Sequence, residues 1–207
     1  MASLLVTGFE AFGVHETNPS AAVVSLLTGA PRPGAAAPAG SNDPPHRISG
    51  LVLPVAFQTC WEPLLCKVEE VHPDAVLALG LAEDRSDLTP ELVAINYMEA
   101  RIPDNRGWQP TQTPIEAEGP AAYFSTLPVH RMTARLADAG FPASLSYSAG
   151  AFVCNYVMYR LLHYASTVNP RVRCGFMHLP GAGAATSLLS PERLAQAVRI
   201  ASDAIFD

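Results

Sequence analysis

Residues 74–80 read DAVLALG, an apolar run that carries one acidic residue at its start and ends at a glycine. A short apolar run between turn formers is typical of a strand buried on both faces, as in the centre of a parallel sheet. The preceding segment QTCWEPLLCKVEEVHP (58–73) has a helical pattern, with Pro63 near its start. A helix followed by a buried strand indicates the α/β class of proteins.

The alternation continues along the chain in both directions. Five further strands are predicted: SLLVTGF (3–9), ISGLVLPVAF (48–57), ELVAIN (91–96), PASLSYS (142–148) and VRCGFMHLPG (172–181). Four further helices are predicted: PSAAVVSLLTG (19–29), HRMTARLADAG (130–140), a helix that begins near Cys154, and SPERLAQAVRIASDAIF (190–206), with Ser190 as its N-cap. We therefore expect one α/β domain over residues 1–207 with a mostly parallel sheet.

Two segments lack this pattern. Residues 30–47, APRPGAAAPAGSNDPPHR, are rich in Pro, Ala and Gly and are interpreted as an exposed loop that includes His46. Residues 98–128 are rich in turn formers, so we expect them to wrap the surface of the domain.

Composition excludes several classes of protein. The chain has 207 residues, of which 49% are hydrophobic and 15% are charged, so a core can be buried and general disorder is excluded. The formal net charge is −6 and the basic residues are scattered, which argues against nucleic acid or an anionic membrane as the main partner.

The N-terminal segment and the cysteines indicate a cytoplasmic protein. MASLLVTGFEAFG lacks the basic region and the long apolar run of a signal peptide, and no run of 18 apolar residues predicts a membrane helix. Cys60, Cys66, Cys154 and Cys174 form neither a CxxC pair nor a zinc-binding spacing. We therefore expect free thiols in a reducing compartment, with three of them structural and one a candidate for chemistry.

Several polar and glycine-rich segments follow predicted strand ends. In parallel sheets, ligands bind beyond the carboxyl ends of the strands. The segments in this position are Gly8–Gly13, Gly80–Glu91, Cys154 and His178. We expect them to converge at one edge of the sheet.

Cys154 stands where SAGAFVCNYVMYRLLHYAS (148–166) changes from a flexible segment to a helix. A thiol in the first turn of a helix lies near unpaired backbone N–H groups, which favour its thiolate and can also bind an oxyanion. The alternative is a small apolar residue on a core helix whose packing face is formed by Val157, Met158, Leu161, Leu162 and Ala165. The helix-start position favours a nucleophile.

A thiol nucleophile needs a base. Of the six histidines, His178 ends an apolar strand at the expected ligand edge. Loop or helix positions make a structural role the better interpretation of the others, which are His15, His46, His72, His130 and His163. Asp84, Asp87 and Glu91 all follow the central strand, and spacing alone does not choose among them for the group that orients the imidazole.

Phe9 and Phe12 lie in the glycine-bounded loop GFEAFG (8–13) after the first strand. Two aromatic rings in such a loop either cap a core or wall a small apolar pocket. The segment GAGAA (181–185) is not a phosphate-binding loop, because no Lys-Ser/Thr pair follows it.

Five segments resemble the pyroglutamyl peptidase I family, cytoplasmic cysteine peptidases that remove N-terminal pyroglutamate. They keep the family's order and are LLVTGFEAFGVHETNPS (4–20), LTPELVAINYMEARIPDNRGWQP (88–110), GPAAYFSTLP (119–128), SYSAGAFVCNYVMYRLLHYA (146–165) and GFMHLP (175–180). The resemblance implies an α/β/α sandwich, no metal or organic cofactor, peptides with N-terminal pyroglutamate as substrates, and a homotetramer or homodimer.

The resemblance also implies which residues carry the activity. The family's catalytic Glu, Cys and His fall on Glu91, Cys154 and His178, and its ring pocket falls on Phe9, Phe12 and Phe152. Arg101 in ARIPDN matches a family arginine near the site, where it would support the pocket or the oxyanion.

The chain departs from the family pattern beside the central strand. The family's Gly-Gln-Ala-Gly-Gly-Arg run is here GLAEDR (80–85), with Leu81 in place of Gln, and the loop after His178 is short. Backbone groups near Gly80 and Leu81 are expected to meet the lactam in place of that polar side chain. The altered GLAEDR segment motivates one alternative, a thiol hydrolase of another small amide or ester. A second alternative is a catalytically silent binding protein of the same fold, against which the presence of Glu91, Cys154 and His178 argues.

Overall fold

The computed structural model of the chain describes residues 2–13, 16–29, 46–181 and 190–207. The strands within these ranges are β1 (Ala2–Phe9), β2 (His46–Leu53), β3 (Ala75–Ala82), β4 (Thr89–Glu91), β5 (Val93–Ile95), β6 (Ala122–Phe124) and β7 (Arg173–Pro180). The helices are α1 (Pro19–Leu27), α2 (Trp61–Val71), α3 (Val129–Asp138), α4 (Val153–Thr167) and α5 (Pro191–Phe206).

Five of the strands form a sheet in the order β2-β1-β3-β7-β4. The β1·β2, β1·β3 and β3·β7 pairs are parallel, and the short edge strand β4 is antiparallel to β7. β5 and β6 form a separate antiparallel pair. This arrangement confirms the predicted α/β class and the mostly parallel sheet, with the DAVLALG segment at the sheet centre.

Side chains alternate between two apolar layers along the central strands. Val76 and Ala78 of β3 pack with buried residues of α2 and α4 on one face of the sheet. Leu77 and Leu79 pack with buried residues of α1, α3 and α5 on the other face. Because strand residues alternate in direction, this pattern builds an α/β/α sandwich. His178 follows Phe176 by two positions and therefore shares the face that α4 covers.

The first loop is tied to α1 by a compact polar cap. Asn18 is the N-cap of α1, and its side chain accepts a hydrogen bond from Ser20 N–H at 3.1 Å. The Ser20 hydroxyl in turn accepts from Phe9 N–H at 2.9 Å, at the end of β1. A Cβ atom on Gly8 would lie 2.6 Å from the Ser20 backbone, so only glycine permits this close approach.

Three strand predictions were wrong in detail. Residues 54–57 leave β2, so the predicted strand 48–57 ends at Leu53. The predicted strand 91–96 divides between the main sheet and the β5·β6 pair, because the chain changes sheet at Leu92. Residues 142–148 form only single bridges, Leu88 with Ala143 and Glu91 with Ser146, in place of a strand.

The prediction for His46 was also wrong. It is the first residue of β2 and is 1% exposed, so the expected loop 30–47 ends before it. Its ring packs on Phe206 of α5 with the centroids 4.8 Å apart, which explains its burial. The rest of the expected loop (30–45), His15 and most of the GAGAA segment lie outside the described residues.

Candidate active site

The carboxyl ends of β3 and β7 and the antiparallel strand β4 meet at one point of the sheet. Gly80 of β3 is the register partner of His178 of β7. On its other side His178 pairs with Thr89 of β4, two residues before Glu91. The expected convergence of the Gly80–Glu91 segment and His178 at the ligand edge is therefore confirmed. Glu91 reaches this edge because β4 runs antiparallel to β7.

His178 and Glu91 form a buried hydrogen-bonded pair. His178 Nδ1 lies 2.7 Å from Glu91 Oε1, and the two side chains are 6% and 0% exposed. A carboxylate oxygen accepts, so Nδ1 carries the hydrogen and Nε2 is the nitrogen left for proton transfer. Among the described residues, neither Asp84 nor Asp87 bonds to His178, so Glu91 is the one of the three candidate carboxylates that contacts the imidazole.

Arg85 is the second donor to the same carboxylate oxygen. Its Nη1 lies 2.6 Å from Glu91 Oε1 and 2.7 Å from Thr89 Oγ1. Glu91 Oε2 is buried and has no hydrogen-bond partner among the described residues. The charge on this fully buried carboxylate is therefore compensated at Oε1 alone.

Cys154 is the second residue of α4 and is only partly buried. Asn155 anchors this end of the helix: its side-chain oxygen accepts from Ile95 N–H at 2.9 Å, and its amide nitrogen donates to the carbonyls of Ile95 and Tyr97. All five residues expected to form the packing face of this helix are buried, as the apolar spacing predicted. The helix start is consequently held against β5.

The thiol lies directly over the β3·β7 pair. A Cβ atom built on Gly80 would be 2.9 Å from Cys154 Sγ and 2.8 Å from Phe176 Cζ. Because Gly80 is the register partner of His178, the sulfur sits at the level of the imidazole. The absence of a side chain at Gly80 is what makes room for it.

Desolvation by the surrounding protein and, to a smaller extent, the negative charge of Glu91 raise the pKa of the Cys154 thiol to about 12, while the positive charge of Arg85 opposes the shift. The helix start was expected to favour the thiolate, but desolvation outweighs that effect in the free protein. The resting thiol therefore keeps its proton, and a base must remove it for reaction.

The first turn of α4 offers free donors beside the sulfur. The first backbone hydrogen bond of this turn runs from Tyr156 N–H to Phe152 O at 3.1 Å, and no side chain caps the helix start. The N–H groups of Val153 and Asn155 consequently have no acceptor among the described residues, and the N–H of Cys154 is directed at its own sulfur. Such a group of donors can stabilise an oxyanion that forms next to the sulfur.

A group of aromatic rings surrounds the start of α4. Phe152, the N-cap, lies 6.2 Å from Phe12 and 5.3 Å from Phe57 between ring centroids. Phe57 meets Trp108 edge to face at 5.4 Å. Phe12 and Phe152 are only partly buried, so they present apolar surface next to the thiol.

The PDN part of ARIPDN holds these aromatic residues in place. Asp104 is 6% exposed, and its carboxylate accepts from the N–H groups of Phe57 and Trp108 at 3.0 Å each. The Asn105 side chain donates at 2.9 Å to Glu10 Oε1 and to the carbonyl of Ala11 in the first loop. This segment therefore ties together three loops that carry rings.

The remaining predicted residues have different settings. Phe9 is 2% exposed and its ring packs 6.5 Å from Phe176, so it lies deeper than Phe12. Leu81 is partly buried near the end of β3, where pairing with β1 has already stopped at Ala78. Arg101 is exposed, and its guanidinium bonds to none of the described residues.

Sequence reasoning missed Arg85, Asn155 and Asp104 as parts of the site. Arg85 ends the GLAEDR segment, six positions before Glu91, and that charge pair was the available signal. Asn155 follows the cysteine directly, but its partners in β5 and beyond lie about 60 positions away and leave no local pattern.

Comparison with known sequences gives a consistent result. The pyroglutamyl peptidase family model matches residues 2–205. Pyrrolidone-carboxylate peptidase 2 of Photorhabdus laumondii subsp. laumondii is 44% identical over 178 residues, which cover 86% of this chain and 77% of that protein. The pyrrolidone-carboxylate peptidase of Streptococcus pyogenes serotype M5 is 45% identical over 177 residues, again 86% and 77% of the two chains.

Solved structures agree with the sequences. Pyroglutamyl peptidase I of Bacillus amyloliquefaciens superposes with a TM-score of 0.88 and 35% identity, covering 99% of this chain and 97% of that one. Pyrrolidone carboxyl peptidase of Thermococcus litoralis gives a TM-score of 0.86 and 35% identity, covering 100% and 94%. The match extends over nearly the whole chain in both sequence and fold, and the protein belongs to the pyroglutamyl peptidase family of cysteine peptidases.

Proposed function

We propose that this protein removes N-terminal pyroglutamate from peptides, with Cys154 as nucleophile, His178 as proton carrier and Glu91 as the group that orients His178. The observation that carries the proposal is the buried 2.7 Å bond between His178 and Glu91, at the strand level where the Cys154 sulfur lies. Family membership supplies the substrate class, and this geometry supplies the chemistry.

The first half of the reaction forms a thioester. His178 Nε2 takes the thiol proton as the sulfur attacks the carbonyl carbon of the pyroglutamyl residue. The carbonyl oxygen becomes an oxyanion, which the unpaired N–H groups at the start of α4 stabilise. As the C–N bond breaks, the imidazolium returns the proton to the leaving amine, and the rest of the peptide departs.

The second half releases the product. Water attacks the thioester carbon while His178 Nε2 accepts its proton, and the C–S bond then breaks to give free pyroglutamate and the thiol. Glu91 remains ionised and stabilises the imidazolium in both halves, as the carboxylate does in related triads. These steps need no metal or organic cofactor.

The aromatic group around Phe152 supports a pocket for the flat neutral ring. Phe12 and Phe152 supply its apolar walls, with Phe9 behind them. The backbone of Gly80 and Leu81, on an edge of β3 that β1 no longer pairs, would meet the lactam N–H and C=O. Recognition through the backbone explains how a leucine is tolerated at this position. Arg101 is proposed as an accessory group at the rim that contacts the oxyanion or the pocket.

A panel of fluorogenic aminoacyl amides tests the proposal. Pyroglutamyl-aminomethylcoumarin should be cleaved, while prolyl, alanyl, leucyl and glutaminyl amides should be cleaved far more slowly. The GLAEDR segment, which departs from the family pattern beside the pocket, favours one alternative, a thiol hydrolase of another small amide or ester. Faster cleavage of any other amide in the panel would support that alternative.

We also propose that the protein acts in the cytoplasm as a homodimer or homotetramer. Among the described residues, no helix is long and apolar enough to cross a membrane. The free cysteines found at all four positions fit a reducing compartment. Light scattering coupled to gel filtration measures the assembly, and a mass of one chain would contradict that part of the proposal.

A further inference from the structure

Arg85 contacts more parts of the site than any function given so far explains. Its Nη1 bonds to both Glu91 and Thr89 of β4, and its Nη2 donates to the carbonyl of Ser148 at 3.0 Å. Ser148 begins the loop that leads into Cys154, six residues later. One guanidinium therefore joins the carboxylate that orients the base to the loop that delivers the nucleophile.

The backbone of Arg85 is anchored as firmly as its side chain. Its N–H donates to Ala82 O at 3.2 Å, which closes a turn at the end of β3. Gly181 N–H donates to the carbonyls of both Ala82 and Arg85, at 2.9 and 3.2 Å. Gly181 comes three residues after His178, so the arginine is fixed relative to the strand that carries the imidazole.

In the part of the chain that the structure describes, no other lysine or arginine pairs with Glu91. The Glu91 side chain is fully buried, and its second oxygen has no partner among the described residues. Removing one partner of a buried ion pair leaves the charge of the other partner uncompensated. Without Arg85, the Glu91 carboxylate would therefore move away from its position against His178. The Arg85 side chain is 29% exposed, so its charge is only partly screened by water.

On these contacts we propose that Arg85 is a positioning residue for the reaction: it holds Glu91 against His178 and holds the Ser148–Phe152 loop, so that base and nucleophile stay in register. The inference rests on the proposed function of Glu91, Cys154 and His178. It adds an electrostatic role, because the positive charge of Arg85 opposes the effect of Glu91 on the Cys154 thiol. Neither role requires contact with the substrate.

Two substitutions separate charge from geometry. Arg85→Met removes the charge and all three bonds, whereas Arg85→Lys keeps the charge but cannot span Thr89, Glu91 and Ser148 with a forked group. Arg171→Met is the matched control: Arg171 is exposed before β7, at the opposite end of the sheet, and its side chain bonds to none of the described residues. Circular dichroism and thermal melting establish that each variant is folded.

The readouts are kcat and KM for pyroglutamyl-aminomethylcoumarin and the rate of Cys154 alkylation by iodoacetamide between pH 6 and 10. For Arg85→Met we expect kcat to fall at least about tenfold, with KM changed less than about threefold, because the substrate is not contacted. Its alkylation should slow at least about threefold at pH 8, since the thiol loses a nearby positive charge. Arg85→Lys should alkylate like wild type but recover only part of kcat.

The alkylation measurement does not depend on any substrate, so it separates this inference from the proposed function. If the wild type cleaves no pyroglutamyl amide, the proposed function fails while the effect of Arg85 on the thiol is still measured. Alkylation profiles and kcat values of both Arg85 variants that match those of Arg171→Met would overturn the inference. So would a loss of kcat that follows only the fraction of unfolded protein. If Arg85→Met does not fold, the kcat of Arg85→Lys decides: a value below that of Arg171→Met supports the inference, and an equal value contradicts it.

Discussion

The imidazole of His178 is bonded to a carboxylate 87 positions away in the chain: His178 Nδ1 and Glu91 Oε1 are 2.7 Å apart in the core. The pairing arises because β4 runs antiparallel to β7 at the edge of an otherwise parallel sheet, so that a short strand returns towards the strand end. This fixes the tautomer of the imidazole and leaves Nε2 as the nitrogen available for proton transfer. The relationship leads directly to a test of Glu91.

Glu91→Gln should lower kcat by something like 10²–10⁴, by analogy with triad carboxylates elsewhere, and less than His178→Ala does. An amide can turn its N–H₂ group towards Nδ1 and so favour the wrong tautomer, but the base itself remains. Steady-state kinetics of both variants measures this, with Asp87→Asn as control, because Asp87 bonds only to Ser86 among the described residues. Wild-type activity in Glu91→Gln would remove Glu91 from the mechanism and reopen Asp84 and Asp87.

Gly80→Ala should damage activity more than stability. The added methyl group would lie 2.9 Å from Cys154 Sγ and 2.8 Å from Phe176, so the thiol or the ring must move. Overpacking of this kind costs about 1–3 kcal/mol in the free energy of unfolding, whereas a displaced nucleophile loses most of its turnover. Ala78→Gly, on the same face of β3, is the control: it weakens the strand without adding an atom near the sulfur. Equal kcat in the two variants, at equal folded fraction, would contradict the placement of the thiol.

The reactivity of Cys154 should depend on His178. The thiol pKa is raised to about 12 in the free protein, mainly by burial, so the thiolate is scarce at neutral pH unless a base accepts the proton. Iodoacetamide should alkylate wild type at least about tenfold faster than His178→Ala at pH 7. In the variant the rate should rise about tenfold per pH unit from pH 7 to 10, because the whole range lies below the thiol pKa. Identical profiles for the two proteins would show that His178 is not the base.

Stability should fall in alkaline solution because two other thiols are deeply buried. Burial raises the pKa of Cys60 and Cys174 from 9.0 to about 12, so together with Cys154 the folded protein keeps three protons that the unfolded chain releases. The stabilising contribution is complete below pH 9 and is lost as the pH rises from 9 to 12, by about 1.4 kcal/mol per pH unit for each thiol. Urea titrations at pH 8, 9.5 and 11 measure the slope. Cys174→Ala should reduce it and Cys66→Ala, at an exposed position, should not.

Pyroglutamyl amides should be preferred over prolyl amides by at least about 10³ in kcat/KM, because a site built for the lactam leaves a buried group unpaired when that group is missing. The N-terminal proline also brings a positive charge towards the partly buried rings of Phe12 and Phe152. Competition assays with the two amides measure the ratio. Comparable turnover of both would contradict the lactam pocket.

The sequence predicted the sheet because its signals are local. The apolar run DAVLALG, the alternation of strand and helix patterns and the cap at Ser190 each lie within a few residues, and all three agree with the structure. The predicted strands at 91–96 and 142–148 failed for a physical reason. Whether a short apolar segment pairs, and with which neighbour, depends on edge positions that only the assembled sheet defines.

The site was predictable to the extent that its residues follow strand ends. His178 was singled out in this way and Cys154 by its place at the start of a helix, but the choice of Glu91 needed the resemblance to a family. Arg85 was missed because its three partners lie 4, 6 and 63 positions away, a set that no periodicity marks. The burial of His46 was missed because its neighbours in α5 are remote in sequence.

The central claim is that Cys154 is the nucleophile that cleaves the pyroglutamyl bond. The most direct test measures hydrolysis of pyroglutamyl-aminomethylcoumarin by wild type, Cys154→Ala and Cys66→Ala side by side, after circular dichroism has shown that all three are folded. The account predicts release of the fluorophore by wild type and Cys66→Ala, and a rate no higher than the uncatalysed background with Cys154→Ala. Turnover by Cys154→Ala at a rate comparable to that of wild type would contradict it.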